Sequence, residues 1–434
     1  MTYSDVWQDD QHVMLRQPKS LHFANRLVLI GTFLFFLVSP YVFYLVGWRY
    51  LGGGTILENI HIGSYVLVVA FSLLMVHDIR FRQHVVGLSL HPSFAPFLLS
   101  VAALAVYAII VKKVSIAPFV DTFFATFIAV YAWTYLPPAD LLRLRRYIDV
   151  YFAVSVAMLF IEYAMSSRII PPTAALPYEP GQFRSAALFE GPLSAATELG
   201  IYVLVTLFAT PMRLTPACIV RLGMASLSYI AIFTTGGRTS LGTCLLCGGL
   251  FVLFSGIRQL IAGRVNRAGL IYMFAGVPIS AIALVLLWQL GVFDTVIARF
   301  QNDIGSAYSR QVALELAFNL TPKEQWFGME AKDVAGLTLR QRSLGLIAIE
   351  ISWVNFVMVC GLIFTIPMFI GFLLFLFRFI PRVCAGPTYF VSLFLLINVS
   401  ASNGIWSKTS VLTISLAIML AFLRRDLHPE EVQA

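Results

Sequence analysis

Long hydrophobic runs separated by short polar segments fill most of this 434-residue chain. Each run is predicted to be a helix, because a lone strand would leave its backbone N–H and C=O groups unsatisfied in lipid. The pattern therefore predicts an all-α polytopic membrane protein with about twelve transmembrane helices. Ten runs are long enough to cross a bilayer and two are shorter, near 27–47, 60–77, 94–111, 116–136, 147–165, 192–210, 217–235, 239–257, 269–290, 351–378, 388–402 and 409–423.

Two polar segments interrupt this pattern. Residues 166–191, SSRIIPPTAALPYEPGQFRSAALFEG, hold prolines and glycines that exclude a continuous helix, so we predict an outer lid or a re-entrant segment. Residues 291–350 are predicted to form a long loop with short helices, one of them amphipathic in SRQVALELAFNL with Ser309 as its cap. Residues 1–434 are then a single membrane domain with an outer cap.

Composition supports the membrane class. Hydrophobic residues make up 59% of the chain and charged residues 12%, with a mean hydropathy of +0.82. A soluble domain carries about 25% charged residues. The net charge of +8 lies mostly in short loops, where basic residues orient membrane helices, so no nucleic-acid partner is predicted.

The basic residues also predict the orientation of the chain. An even number of spans puts both termini on one side, and the segments on that side are the ones rich in arginine. Examples are Arg143, Arg145 and Arg146 in one segment, with Arg424 and Arg425 in another. The N- and C-termini are therefore predicted to be cytoplasmic, and the lid and the long loop to lie outside.

Cations on the predicted outer face need a separate explanation, because long loops follow the charge rule poorly. Their gathering on one face, without a metal-binding motif, suggests a site for a large anion, for which we propose a lipid-linked pyrophosphate. The candidate catalytic cations are Arg238 and Arg310, and the candidate substrate-binding cations are Arg184, Arg299, Arg340 and Arg342.

Arg238 and Arg310 have the most favourable local sequences. Arg238 follows Gly236 and Gly237 at a predicted helix start, where backbone N–H groups and the helix dipole favour a phosphate. Arg310 also precedes a predicted helix. The alternatives are an interfacial arginine that contacts lipid headgroups and a solvated surface cation, respectively. For Arg184 and Arg299 the surface interpretation is favoured.

Four carboxylates near the outer ends of predicted spans, Asp121, Glu162, Glu198 and Glu350, are candidates for chemistry, because ionisable groups in a membrane are costly. Glu350 stands where the long loop enters the tenth run and is the candidate base for a sugar hydroxyl. The alternative is an acid that stabilises a helix start. Glu162 and Glu198 are the next candidates and are also assigned to substrate binding.

The order of these features resembles a known superfamily. The segment FRSAALFEGPLSAATELG leads into a span and TTGGRTSLGT opens a helix. The long loop contains YSRQVALELAFNLTPKEQWFGME, and EISWVNFVMVCGL opens the next span. Over residues 181–374 this succession resembles bacterial O-antigen ligases and Wzy-type polysaccharide polymerases.

The resemblance implies roles for individual residues. Arg238 and Arg310 would engage the undecaprenyl pyrophosphate of a glycan donor, with Glu350 as the catalytic base by position. Ligases of this superfamily carry a His eleven residues before a Gly. Here the residue eleven before Gly361 is Glu350, followed by Ile351, and this departure favours a polymerase over a ligase.

The function expected from the resemblance is polymerisation of undecaprenyl-pyrophosphate-linked repeat units into exopolysaccharide, as in xanthan-type systems. The transfer would be inverting and metal-independent, without a cofactor, at the periplasmic face of the bacterial inner membrane. Expected partners are the lipid-linked donor and acceptor, membrane lipids and a chain-length co-polymerase. The alternatives are a flippase for lipid-linked oligosaccharides and an O-antigen-type ligase.

Overall fold

The computed structural model describes residues 19–50, 55, 57–170, 183–209, 215–261, 285, 289, 306–340, 349–402 and 404–427. These residues are almost all helical. Their only β structure is an isolated antiparallel bridge between Cys384 and Arg424. The prediction of an all-α protein is confirmed for this part of the chain.

We number the described helices of four or more residues in chain order. Their bounds are α1 Lys19–Leu37, α2 Pro40–Leu45, α3 Ile62–His77, α4 Ile79–Ser89, α5 Ala95–Ile110, α6 Phe119–Tyr135, α7 Pro138–Met165, α8 Pro192–Ala209, α9 Pro216–Thr235, α10 Arg238–Ile261, α11 Ser306–Phe318, α12 Pro322–Phe327, α13 Ala331–Arg340, α14 Ser352–Cys360, α15 Leu362–Val383, α16 Thr388–Ala401 and α17 Val411–Leu423.

Six described helices are long and apolar enough to cross a membrane, namely α1, α7, α8, α9, α10 and α15. Helices α3 and α4 are bent by 113° against each other and make a seventh candidate if taken as one span. Helices α5, α6, α16 and α17 are apolar but shorter. The protein is therefore a helical membrane protein, whereas twelve spans stay a prediction. The predicted span 269–290 lies outside the described residues, apart from positions 285 and 289.

Helix starts follow local sequence rules. Pro138, Pro192, Pro216 and Pro322 each occupy the first position of a helix, where the missing N–H costs nothing. Thr321 caps α12 reciprocally with Glu324, because each side chain bonds the other residue's backbone N–H.

The tenth apolar run, predicted as one helix over 351–378, is divided at Gly361 into α14 and α15. Gly361 has φ +76° and ψ 169°, and Gly328 after α12 has φ +69° and ψ 171°, a region open essentially to glycine alone. A Cβ on Gly361 would lie 2.2 Å from the Trp326 carbonyl oxygen, and one on Gly328 would lie 2.2 Å from that of Val359. Two glycines thus let the loop backbone touch the membrane domain where the run breaks.

Helix α8 lies at the centre of the bundle and is the most deeply buried candidate span. A Cβ on Gly200 would meet the Phe394 ring of α16 at 2.2 Å, and one on Gly237 would meet the Ala196 Cβ at 2.2 Å. In lipid, small residues let helix backbones approach closely, and the resulting packing holds the helices together. Helix α8 therefore fixes α16 and the start of α10 against one another.

Polar contacts show which segments share an end of the bundle. At the end we call outer, the Lys408 Nζ donates to the Asn59 carbonyl at 2.9 Å, and the Lys112 Nζ donates to that of Gly328 at 2.7 Å. At the inner end, the Arg425 Nη2 donates to the Pro381 carbonyl at 2.7 Å. In each of these contacts, both residues belong to segments that the sequence predicts on the same side of the membrane. The assignment of the inner end to the cytoplasm stays a prediction.

Candidate functional site

A polar cleft opens at the outer end of the bundle. Its volume is about 80 Å³, whereas a water molecule needs about 10–15 Å³ by the same measure, so a phosphate-sized group fits. Four predicted site residues from separate parts of the chain, Arg184, Arg238, Arg310 and Glu350, line it together. The other lining residues are Leu193, Thr197, Gly236, Gly237, Thr239, Ser240, Asn398, Ala401 and Ser402.

Arg238 is the first residue of α10, as its sequence context predicted. Gly236 ends α9 with φ +69°, a left-handed conformation that glycine adopts without strain. The Gly237 carbonyl accepts from the Leu241 N–H at 3.0 Å, which places Gly237 at the cap of α10. The amino-terminal end of α10 and the guanidinium of its first residue therefore belong to the same cleft. This combination favours an anion.

Arg310 and Glu350 meet across the cleft, with the Arg310 Nη2 3.3 Å from the Glu350 Oε2. Their side chains are 33% and 35% exposed, so both remain accessible to a ligand. The Arg310 Nε is buried without a hydrogen-bond partner among the described residues. Helix α11, which carries Arg310, begins at Ser306 rather than at the predicted cap Ser309. Arg310 therefore lies within α11 and not before it.

Glu162 lies apart from the cleft and binds the backbone of the segment 166–191, for which the sequence predicts an outer lid or a re-entrant segment. Its side chain is fully buried, and its oxygens accept from the backbone N–H groups of Ile169, Ala186 and Ala187 at 3.0, 2.9 and 3.0 Å. Buried carboxylates require such donors. Glu162 thus holds the backbone of Ala186 and Ala187, shortly after Arg184, whereas the sequence had suggested direct substrate binding.

Glu190 anchors the other end of the described lid. It accepts hydrogen bonds from the Thr409 and Ser410 hydroxyls at 2.6 Å and from the Ser410 N–H at 2.8 Å. Burial raises the pKa of this carboxyl, although these bonds and the charge of Lys408 oppose the shift. Burial also lowers the pKa of Lys408 to about 8. Glu190 thereby fastens the described end of this segment to the residues directly before α17.

Asn398 of α16 contributes to the cleft and was missed by the sequence reasoning. Its Oδ1 accepts from the Ser240 hydroxyl at 2.6 Å, and its Nδ2 donates to the Thr243 hydroxyl at 2.9 Å. Both partners lie in the first turns of α10. The available signal was an amide within the apolar run 388–402, because polar groups in a membrane are costly.

The same end of α16 also holds the start of α14. The Ser352 hydroxyl is within bonding distance of the carbonyls of Val399 and Ser402, at 2.9 and 2.6 Å. The Trp353 Nε1 donates to the Ser400 hydroxyl at 2.6 Å. Glu350 precedes α14 by two residues. The carboxyl-terminal turn of α16 therefore sets the position of Glu350 relative to the start of α10.

The remaining predicted residues do not join the cleft. Glu198 of α8 is 1% exposed and does not line it, and its carboxylate oxygens have no hydrogen-bond partner among the described residues. Arg340 ends α13, and its side chain falls outside the described part of the chain. Arg299 and Arg342 lie outside the described residues altogether.

The composition of the cleft indicates its chemistry. Three guanidinium groups can bind a multiply charged anion through charge-assisted hydrogen bonds, and a carboxylate beside them can accept a proton. Among the described residues, no three His, Cys, Asp or Glu side chains gather as a metal site would require. No protein-family model matches the chain, and neither does a curated protein or a solved structure.

Proposed function

We propose that this protein is a membrane glycosyltransferase that polymerises lipid-linked oligosaccharide repeat units, a polymerase of the Wzy kind. The observation that carries the proposal is the meeting of Arg184, Arg238, Arg310 and Glu350 in one cleft. Positive charge on three separate segments suits a diphosphate leaving group, and a carboxylate at the same place suits activation of a sugar hydroxyl.

In the proposed reaction, Arg238 and Arg310 bind the pyrophosphate of an undecaprenyl-pyrophosphate-linked glycan. The bond between the anomeric carbon and the phosphate oxygen breaks, and the electron pair leaves with the diphosphate. Fixed guanidinium groups stabilise the negative charge that grows on the leaving oxygen. Because the residues are positioned before the reaction, little reorganisation opposes this step.

The acceptor is a sugar hydroxyl of a second lipid-linked repeat unit. Its oxygen attacks the anomeric carbon from the face opposite the diphosphate and forms the new glycosidic bond with inversion. Glu350 accepts the hydroxyl proton on a carboxylate oxygen. The products are the acceptor, which keeps its own lipid diphosphate and is lengthened by the donor glycan, and the released undecaprenyl pyrophosphate. The hydroxyl proton remains on the Glu350 carboxyl, from which solvent takes it.

The contact between Arg310 and Glu350 links the two roles. A single 3.3 Å contact between partly exposed groups is weak and easily exchanged. A diphosphate that binds Arg310 competes with Glu350 for the guanidinium and frees the carboxylate. Donor binding would therefore prepare the base, which limits proton transfer to the loaded cleft.

The cellular setting follows the orientation predicted from the arginines. The cleft would face the periplasm, and the donor would enter laterally from the outer leaflet of the bacterial inner membrane. The working unit would include membrane lipids and a chain-length co-polymerase. These expectations rest on the resemblance and on the basic residues at the inner end.

The deciding experiment supplies the purified protein with lipid-linked repeat units extracted from a strain that lacks this gene. Wild-type protein should give products longer than one unit. Arg238→Ala and Arg310→Ala should each lower the rate about 100- to 1,000-fold, because each removes about 2.7–4 kcal/mol of transition-state stabilisation.

Arg168→Ala is the matched control, because Arg168 packs over the Phe183 ring at 5.9 Å on the same face without lining the cleft. Its rate should stay within about twofold of wild type, since surface substitutions cost little. Wild-type rates from Arg238→Ala and Arg310→Ala at equal membrane levels would refute the proposal.

A flippase for the same lipid-linked glycans is the second candidate. Buried Arg145 at the inner end of the bundle favours it, since a transporter needs cations on both sides of the membrane. Deletion of a polymerase leaves single repeat units on the outer face, whereas deletion of a flippase leaves them inside. The leaflet in which these units accumulate therefore decides between the two functions.

A further inference from the structure

Arg145 of α7 is a buried cation at the opposite end of the bundle from the cleft. Its side chain is 8% exposed, and its Nε and Nη2 have no hydrogen-bond partner among the described residues. On the same helix it stands 17 residues before Glu162, which corresponds to about 25 Å along the axis. The outer cleft therefore cannot use this group.

Arg424, also at the inner end, shows how this fold neutralises a buried arginine. It is 4% exposed, its Nε and Nη2 donate to Asp426 at 2.7 and 2.5 Å, and its Nη1 donates to the Trp133 carbonyl at 2.7 Å. Arg145 has no comparable set of partners among the described residues. A buried charge without such partners is costly.

Among the described residues, an aromatic ring and two charged side chains act on Arg145. Its Cζ lies 4.4 Å from the centre of the Phe422 ring, a cation–π contact. Arg221 of α9 and Asp149 of α7 both act on it electrostatically. Asp149 instead accepts a hydrogen bond from the Tyr202 hydroxyl at 2.8 Å. Two arginines and one carboxylate leave one net positive charge.

We propose that Arg145 and Arg221 form a binding site for a singly charged phosphate group at the inner end of the bundle. A guanidinium presents parallel N–H donors that match phosphate oxygens. A phosphodiester carries a single negative charge and would neutralise the cluster. An anionic phospholipid headgroup and a soluble phosphate share this chemistry, and the experiment separates them.

The first measurement titrates delipidated full-length protein with phosphatidylglycerol and counts bound lipids by native mass spectrometry. Arg145→Ala should weaken the tightest lipid site about tenfold or more, the effect of losing charge-assisted hydrogen bonds. Arg143→Ala is the control on the same helix, because Arg143 is 62% exposed and pairs with Asp140 at 2.9 Å. It should leave the site unchanged.

The second measurement uses inorganic phosphate alone on the delipidated protein, by calorimetry. Binding of phosphate that Arg145→Ala abolishes, without a matching lipid effect, would assign the site to a soluble ligand. Arg145→Lys keeps the charge but not the planar donors, so it should retain only part of the affinity.

Both measurements are repeated with Arg221→Ala, which changes a different helix. This variant tests the proposed site if Arg145→Ala does not fold. It should also weaken binding. Unchanged affinity for both phosphatidylglycerol and phosphate in the folded variants would overturn the site.

Discussion

At the scale of single residues, the cleft brings the proposed base Glu350 into contact with Arg310, a proposed anion-binding group. Arg310 and Glu350 are each about one-third exposed and 3.3 Å apart, so the pair contributes little to stability. In the proposed reaction, a bound diphosphate would take over this guanidinium. The consequence is that Glu350 can be changed without loss of the fold.

Glu350→Gln should therefore abolish turnover and preserve donor binding. Gln has nearly the shape of Glu but cannot accept the hydroxyl proton, and loss of a general base costs about 100- to 10,000-fold in rate. The measurement compares polymer formation with binding of the lipid-linked donor to purified protein.

Glu315→Gln is the control for Glu350→Gln. Glu315 lies on α11, is outside the cleft and accepts a hydrogen bond from the Gln311 amide at 2.8 Å. The rate of polymer formation by Glu315→Gln should match that of the wild-type protein. Turnover by Glu350→Gln at the wild-type rate would show that another group takes the proton.

At the scale of elements, two helices are positioned by the end of a third. Asn398 ties α16 to α10 through Ser240 and Thr243, and the backbone after Asn398 ties α16 to α14 through Ser352. Buried polar networks of this kind lose stability and geometry when one member is removed. The start of α10 is thus the element that depends on Asn398.

Asn398→Ala should weaken donor binding more than it slows transfer in the loaded enzyme, because it releases the helix that carries Arg238. We expect about a tenfold rise in KM, as for one lost buried hydrogen-bond network of about 1.5 kcal/mol. Ser392→Ala is the control, because Ser392 also lies on α16 but away from the cleft, and its hydroxyl donates to the Leu376 carbonyl of α15 at 2.9 Å. Equal KM values for the two variants would contradict this role.

The break between α14 and α15 is a second element-scale device. Gly361→Ala places a Cβ 2.2 Å from the Trp326 carbonyl oxygen and forces alanine into a glycine-only conformation. The variant should lose at least about 1–3 kcal/mol of stability, seen as a lower Tm in detergent.

Gly256→Ala provides the comparison for Gly361→Ala. Gly256 lies within α10, and a Cβ there would meet nothing within 4 Å. This change should be neutral or mildly stabilising, because alanine favours helices. Equal Tm values for the two variants would argue against the close backbone contact at Gly361.

At the scale of the whole molecule, the bundle has two chemically different ends. The outer end carries the cleft with Arg184, Arg238 and Arg310, and the inner end carries the arginine-rich segments. If the inner end is cytoplasmic, the chain obeys the charge rule in its short loops.

Leu57→Cys and Gln83→Cys test this orientation. Both positions are exposed and lie on opposite predicted sides, whereas all five native cysteines are buried and give little background. A membrane-impermeant maleimide should label Leu57→Cys in intact spheroplasts, and Gln83→Cys only after permeabilisation. The reverse pattern would invert the topology and place the cleft in the cytoplasm.

Much of the site could be predicted because charge in an apolar chain is conspicuous. Arg238 after two glycines and Glu350 at the end of a loop stand out in sequence, since ionisable groups near a membrane are costly. Asn398 and Ser352 did not stand out, because an amide and a hydroxyl can also satisfy themselves within one helix. Glu162 stood out equally but proved to hold backbone N–H groups.

The sequence by itself determined the helical class and the predicted sidedness, because both depend on local composition read against the bilayer. The tertiary structure alone decided that Arg184, Arg238, Arg310 and Glu350 share a cleft. Contacts between residues far apart in the chain depend on helix packing, which periodicity does not encode. The break between α14 and α15 at Gly361 also depends on the tertiary structure, because its cause is the approach of Trp326 from another segment.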